Sequence, residues 1–432
     1  MKKKQTMDVL VIGFALFSMF FGAGNLIFPP KLGLQTGQDW AIGFTSFTIA
    51  DAGLALVAIL ATIRGTGELD GITRRVGRLP SMLLGISVFL CVGPLMAIPR
   101  TAASTFELGV GPMFRTDARV LFAVAFFLLV FVLSVRPSKV IDIIGKFLTP
   151  ALYVSLLVLI VQGLIHPVGQ VADLGDTGAF ATGIAAGYQT MDVFAAVIFT
   201  VLVTQTLRER QYEGKERMSI VIRSGLVAAI GLTIVYGGLA YLGATASSQY
   251  SATVGQSELL LGIVQQIMGR PGICLLGIVA ALACLTTAIG LTSAAASYFS
   301  DLTKNKVSYK AFVILICVFS AVVSNFGIKT IVAFSSPILT VVYPAMLTLI
   351  ALSFFDGKIK NDWVFQLSTG AALLVSLCTV LSEYIGGLSF IHRLPLSSLG
   401  LGWILPAIVC GAIGFFLPCK KRTENMEHAG QR

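Results

Sequence analysis

The sequence predicts an all-α membrane protein of twelve transmembrane helices, and three observations lead there. Of 432 residues, 56% are hydrophobic and only 12% are Asp, Glu, Lys or Arg, about half the roughly 25% charged share of a soluble domain. A soluble fold of this size needs polar side chains over much of its exterior, so a bilayer must be the solvent for most of the chain. Apolar runs long enough to span recur along the sequence without strand-like alternation, and in hydrocarbon only helices or closed barrels satisfy every backbone group. Basic residues, finally, alternate in density from one connecting loop to the next.

The apolar segments lie at about 9–28, 41–63, 80–99, 120–135, 147–165, 179–205, 222–244, 272–299, 311–325, 330–354, 364–384 and 400–418. With the N-terminus in the cytoplasm, 24 of the 31 Lys and Arg residues fall on the inner side and seven (Lys31, Arg100, Arg115, Arg119, Arg270, Lys329, Arg393) on the outer side. That asymmetry predicts an even number of spans with both termini cytoplasmic. It also accounts for the formal charge of +10 by topology, so nucleic acid is not an expected partner. The seven cysteines, at 91, 274, 284, 317, 378, 410 and 419, have neither metal-site nor disulfide spacing and read as inert packing. The three histidines, 166, 392 and 428, stand at span ends or in the tail. No metal or base constellation follows from them, and no cofactor is expected.

The first span starts after Met1-Lys2-Lys3-Lys4, runs to Phe28 and meets Pro29-Pro30 as a stop, with no small-residue cleavage pattern; it reads as an uncleaved helix. At mid-depth it carries Phe20-Phe21-Gly22-Ala23-Gly24-Asn25, a poor helix propagator. The second span holds Asp51 in an otherwise ordinary apolar run. The third ends Gly93-Pro94 to Pro99-Arg100, where two prolines kink the helix and Arg100, near the outer surface, gates a vestibule, pairs with Glu107 or simply snorkels. The sixth begins with the small-residue stretch 178–187 and reaches Tyr188-Gln189-Thr190-Met191-Asp192, which puts a second carboxylate in the bilayer. An intramembrane carboxylate costs at least about 2.5 kcal/mol on insertion scales and is therefore paired, protonated or functional. The eighth contains Ala283-Cys284-Leu285-Thr286-Thr287; adjacent hydroxyls offer a small hard cation two neutral oxygens, although a hydroxyl also bonds back to its own helix.

Interrupted segments at corresponding places, spans one and six, point to a transporter built from inverted five-helix repeats. The first repeat is 1–166, the second 178–354; 364–418 holds two accessory helices and 419–432 a cytoplasmic tail. A broken helix presents amides and a positive dipole end to a carboxylate, and carbonyls to a cation, so an amino acid satisfies both requirements. A membrane enzyme would need a nucleophile, a metal or paired carboxylates near one face. A channel has no use for an occluding site.

Phe-Phe-Gly-Ala-Gly-Asn-Leu-Ile-Phe-Pro-Pro (20–30), Gly-Pro-Leu-Met-Ala-Ile-Pro-Arg-Thr-Ala (93–102) and Gly-Tyr-Gln-Thr-Met-Asp (187–192) together resemble the BrnQ family of bacterial branched-chain amino acid:cation symporters (LIVCS family), through spans one to ten. The resemblance implies the LeuT-like 5+5 fold of the APC superfamily, location in the bacterial cytoplasmic membrane and import of leucine, isoleucine and valine with sodium by alternating access. It implies a substrate site of Gly22, Ala23, Gly24, Asn25, Asp192 and Phe194, with the Ala23 and Gly24 amides on the carboxylate. The implied sodium site uses carbonyls of Ser18, Phe21 and Ala283 with the hydroxyls of Thr286 and Thr287. Asn25 serves a second ion or braces the break. Asp51 departs from the apolar second span of that family, which leaves an extra ion or proton site open beside a gating role for Arg100. The alternative function is proton-coupled or exchange-type transport of another small neutral amino acid.

Overall fold

The computed structural model describes residues 2–65, 69–135, 149–175, 177–382 and 385–418, and every regular element among them is helical. The helices of nine residues or more in the first half are α1 Lys2–Phe20, α2 Ala23–Thr36, α3 Trp40–Thr48, α4 Leu54–Arg64, α5 Arg78–Leu90, α6 Ala97–Thr105, α7 Arg119–Ser134 and α8 Thr149–Ile165. Those in the second half are α9 Ala179–Thr190, α10 Asp192–Glu209, α11 Gly214–Thr245, α12 Gln256–Leu302, α13 Tyr309–Val323, α14 Gly327–Ser353, α15 Asp362–Ser382 and α16 Ile404–Phe416. Seven helical stretches among the described residues are long and apolar enough to cross a membrane, and four shorter apolar helices accompany them. The basic loop at 136–148 and the tail at 419–432 lie outside the described residues.

The chain forms two compact units, one of Met1–Gly71 and Gly85–Leu339, the other of Ile72–Leu84 and Thr340–Arg432. In the smaller unit, α15 and α16 touch backbone to backbone: a Cβ on Gly414 would stand 2.7 Å from the Val364 nitrogen. Asn361 ties the pair by donating to the carbonyls of Gly414 and Leu417, both at 2.8 Å. Arg75 donates to Asp356 and Asp362 and lies 3.9 Å over the Phe365 ring.

All the candidate site residues belong to the larger unit, where small residues decide which helices approach. A Cβ on Gly183 would fall 2.3 Å from Gly43 O and 2.0 Å from Ser46 Oγ, and one on Gly187 2.7 Å from the Ala50 Cβ. Glycines four apart thus seat α9 directly on α3, and Thr190, less than a turn beyond Gly187, comes to rest on Asp51. On another face, Gly33 and Gly243 bring α2 against α11 so closely that a Cβ on either would meet a backbone oxygen at 1.8 Å.

Pro29-Pro30 does not stop the first span: α2 continues through both prolines to Thr36. Proline removes the bond to the carbonyl four residues back, and a membrane helix tolerates that loss where neighbouring helices cover the freed groups; here α11 covers Pro30. Nor is the second span ordinary at Asp51, which sits in a π-helical turn, Ile49–Gly53, between α3 and α4. Such turns widen the helix by one residue and recur at functional positions.

Candidate substrate and cation site

Two interrupted helices meet here. α1 stops at Phe20; the Gly22 amide turns back to Phe20 O at 2.7 Å, and Gly22 is extended (φ −102°, ψ −159°) before α2 begins. The last carbonyls of α1 and the first amides of α2, those of Ala23, Gly24 and Asn25, are left without partners in their own helices. The second interruption is a single residue, Met191, held left-handed (φ 68°, ψ 16°) between α9 and α10. A side chain other than glycine adopts that conformation only where its surroundings enforce it.

The freed carbonyls of α1 face α12. Thr286 Oγ1 lies 2.9 Å from both Ser18 O and Ala283 O and accepts from Ser18 Oγ at 3.0 Å. Thr287 Oγ1 donates to Met19 O at 2.9 Å and stands 3.5 Å from Ser18 O. Three carbonyls (Ser18, Met19, Ala283) and three hydroxyls (Ser18, Thr286, Thr287) make six oxygens with three hydroxyl protons among them. Neutral oxygens gathered in this way are the type of ligand that a hard cation takes. Of the expected residues Ser18, Ala283, Thr286 and Thr287 come together. The hydroxyls reach Met19's carbonyl and not that of Phe21, whose ring instead stacks on Phe17 at 5.7 Å.

Both acids are buried at the second break. Asp192, the first residue of α10, accepts from Asn25 Nδ2 at 2.9 Å, and the same amide donates to the hydroxyl of Tyr236 on α11. Asp51 accepts from Thr190 Oγ1 at 2.6 Å through one oxygen, and its carboxylate also faces the Tyr236 hydroxyl and Asp192. Asn25 therefore bridges the first break to the second, and Thr190 ties the second to the π-helical turn that follows α3.

Arg100 is not near a surface and does not pair with Glu107. Only 3% exposed, it donates from Nη1 to Gln189 O at 2.9 Å and from Nη2 to Thr190 O at 3.5 Å. The cause is the kink: Gly93 (φ −93°, ψ −131°) and Met96 (φ −135°, ψ −64°) redirect the chain before α6, and a cation is favoured at the carbonyl end of α9. Glu107 instead accepts from Ser257 Oγ and the Ile328 amide, each at 3.0 Å.

One cavity joins these groups, lined by Gly22, Ala23, Asn25, Arg100, Asp192 and Thr287 together with apolar side chains that include Val92 and Leu291. Phe194 is fully buried one turn into α10, and it is Ala195 that reaches the lining. Sequence reasoning missed Met19, Thr190 and Tyr236. The signal for Tyr236 was available, a lone hydroxyl within Ile234-Val235-Tyr236-Gly237-Gly238; a backbone carbonyl such as Met19's leaves none. At its other end α1 is tied down by Asp8, which accepts from Arg210 and, at 2.7 Å, from Tyr212. That hydrogen bond pushes the Tyr212 phenol up to about 12.

A model of the family described as branched-chain amino acid transport protein matches residues 5–421. The chain belongs to this family. The branched-chain amino acid permease BrnQ of Bacillus subtilis (strain 168) is 35% identical to this family member over 96% of the chain and 98% of its own length. The branched-chain amino acid transport system 2 carrier protein of Pseudomonas aeruginosa is 36% identical over 93% and 96%. These kin are named permeases and carriers, not enzymes. Among solved structures, MhsT in complex with L-phenylalanine superposes with a TM-score of 0.57 at 17% identity, covering 94% of this chain and 98% of its own. A Na+-coupled sialic acid symporter in a substrate-bound outward-open state gives 0.62 at 15%, covering 96% and 91%. The branched-chain family member therefore has the fold of these transporters.

Proposed function

We propose that this protein is a secondary transporter that imports leucine, isoleucine and valine by sodium symport with alternating access. One observation carries the reading: both helix interruptions, the oxygen cluster between α1 and α12, and Asp192 converge on a single buried cavity. In this mechanism the substrate carboxylate lies against the Ala23 and Gly24 amides and its ammonium faces Asp192. Sodium sits among the oxygens of Ser18, Ala283, Thr286 and Thr287, with Met19 O added to the set expected from sequence. The aliphatic side chain rests on the apolar lining. Sodium and substrate both favour the state in which the two breaks are closed on each other, so each raises the affinity of the other by the same factor.

The architecture that goes with this function has twelve crossings in two inverted repeats, 1–166 and 178–354, with 364–418 accessory, both termini cytoplasmic, in the bacterial cytoplasmic membrane. Opposed repeats rocking about a fixed midplane site account for broken helices in spans one and six of the same chain. A second reading, proton-coupled or exchange-type transport of a small neutral amino acid, is favoured by one feature: the Asp51 carboxylate, fully buried and set against the carboxylate of Asp192. Counterflow tests the class of function. Proteoliposomes loaded with leucine should take up labelled leucine transiently above its equilibrium level. Uptake that only equilibrates indicates a channel, and chemical change in the recovered leucine an enzyme.

A further inference from the structure

Arg100 is a buried cation standing between the carbonyl end of one broken helix and the amide end of the other. Its Nη1 and Nη2 face the α9 carbonyls of Gln189 and Thr190. On the opposite side, a Cβ built on Gly24 would lie 2.8 Å from Nη2, so the guanidinium abuts the first turn of α2. Nε is buried and has no hydrogen-bond partner among the described residues.

This placement leaves donor capacity of the guanidinium unfilled. The α9 carbonyls offset the charge on one side, but the start of α2 carries the equivalent of about half a positive charge and free N–H groups. A guanidinium pressed against that end is repelled unless an anion lies between them. A guanidinium has five N–H donors in a planar fork that fits a carboxylate, and such pairs are stronger than neutral hydrogen bonds. The only acid among the named cavity-lining residues, Asp192, accepts from Asn25 and acts on Arg100 through its charge, but no hydrogen bond joins it to the guanidinium among the described residues. Gly24 lets the guanidinium come this close to α2, because any side chain there would meet it, and the cavity that a second carboxylate would enter is lined beside it by Gly22, Ala23, Asn25 and Arg100.

We propose that Arg100 is a substrate-binding residue that takes the amino-acid carboxylate jointly with the free amides of α2. The inference rests on the proposed function and names the group that recognises the carboxylate end of the substrate. Arg100 thereby also couples the breaks, since the ligand that completes its donor set at α2 is held by a side chain anchored on α9. Specificity for a free carboxylate follows: amides and esters of the same amino acid lose the charge that the site is built to receive.

The test is equilibrium binding to the purified full-length protein at saturating sodium, with labelled leucine displaced by leucine or by leucinamide. Arg100→Gln retains an N–H donor for Gln189 O but not the charge; melting temperature and monodispersity report folding. The expected result is a loss of leucine affinity of about 30-fold or more, the worth of a charge-assisted pair, with little change for leucinamide, so that the preference for leucine collapses. Arg100→Lys, which keeps the charge and loses the fork, should retain part of that preference and serves as the test if the Gln variant does not fold. Leucine and leucinamide weakening in equal proportion, or leucine affinity unchanged, would overturn the inference and leave Arg100 as a brace for the α9 break. A wild-type protein that binds no leucine would overturn the proposed function itself.

Discussion

Replacing Thr287 by Val deletes a single oxygen at the junction of α1 and α12. The Thr287 hydroxyl donates to Met19 O at 2.9 Å, at the end of α1 where the helix no longer supplies an amide. Valine keeps the methyl that touches Gly22, so shape is nearly conserved. The structural cost is one buried carbonyl left unpartnered, about 1–3 kcal/mol. If a cation uses the same oxygen, the variant also loses a ligand worth about 1.5–3 kcal/mol by the measure of hydrogen bonds to charged groups, or roughly 10–150-fold in the sodium concentration for half-maximal uptake. Thr286→Val should behave alike, since its hydroxyl lies 2.9 Å from both Ser18 O and Ala283 O. The assay is uptake of labelled leucine in proteoliposomes across a sodium titration, with Thr287→Ser, which keeps the oxygen, as control. Sodium dependence within about threefold of wild type in both Val variants, at normal protein levels, would refute the placement, because a lost ligand must cost at least that much.

Gly24→Leu should abolish leucine binding while the protein remains monodisperse, because a side chain there meets Arg100 Nη2 and fills the approach to the α2 amides; normal binding by this variant would make the first break a packing feature. Asp192→Asn preserves a partner for Asn25 but removes the charge facing the substrate ammonium, so uptake should fall by about 10-fold or more at every pH. Asp51→Asn should keep sodium-driven uptake, and the roles of the two acids are reversed if it is the dead variant. Tyr212→Phe should lower the melting temperature by the same amount at about pH 6 and pH 8. Its phenol, pushed up to about 12 by Asp8, contributes its hydrogen bond fully below the ordinary tyrosine range near 10 and loses it only as pH rises through 12; a difference between those two pH values would mean that another group titrates in the contact.

The parts of this molecule visible in its sequence are those written in composition and in poor helix formers. Gly22 and Gly24 marked the first interruption, the small-residue run into Asp192 marked the second, and Thr286-Thr287 marked the hydroxyls, because each departs from what an apolar helix would use. Pro29-Pro30 misled for the complementary reason. A proline stops a helix in water but not necessarily in a bilayer, and here α11 packs directly on Pro30. Arg100 misled because its place depends on the kink at Gly93 and Met96, whose direction no local pattern encodes. Thr190 on Asp51 and Tyr236 on Asn25 are consequences of which helices touch. The glycine pairs that bring those helices together were legible as small residues, but their partners were not.

The most direct test of sodium-driven import is accumulation of labelled leucine by proteoliposomes of the purified protein, with inward gradients of sodium, potassium or protons imposed one at a time. Sodium alone should drive leucine above its equilibrium level, and dissipating the sodium gradient should release it. Accumulation under a proton gradient without sodium would contradict the account and move the coupling site from the α1–α12 oxygens to Asp51.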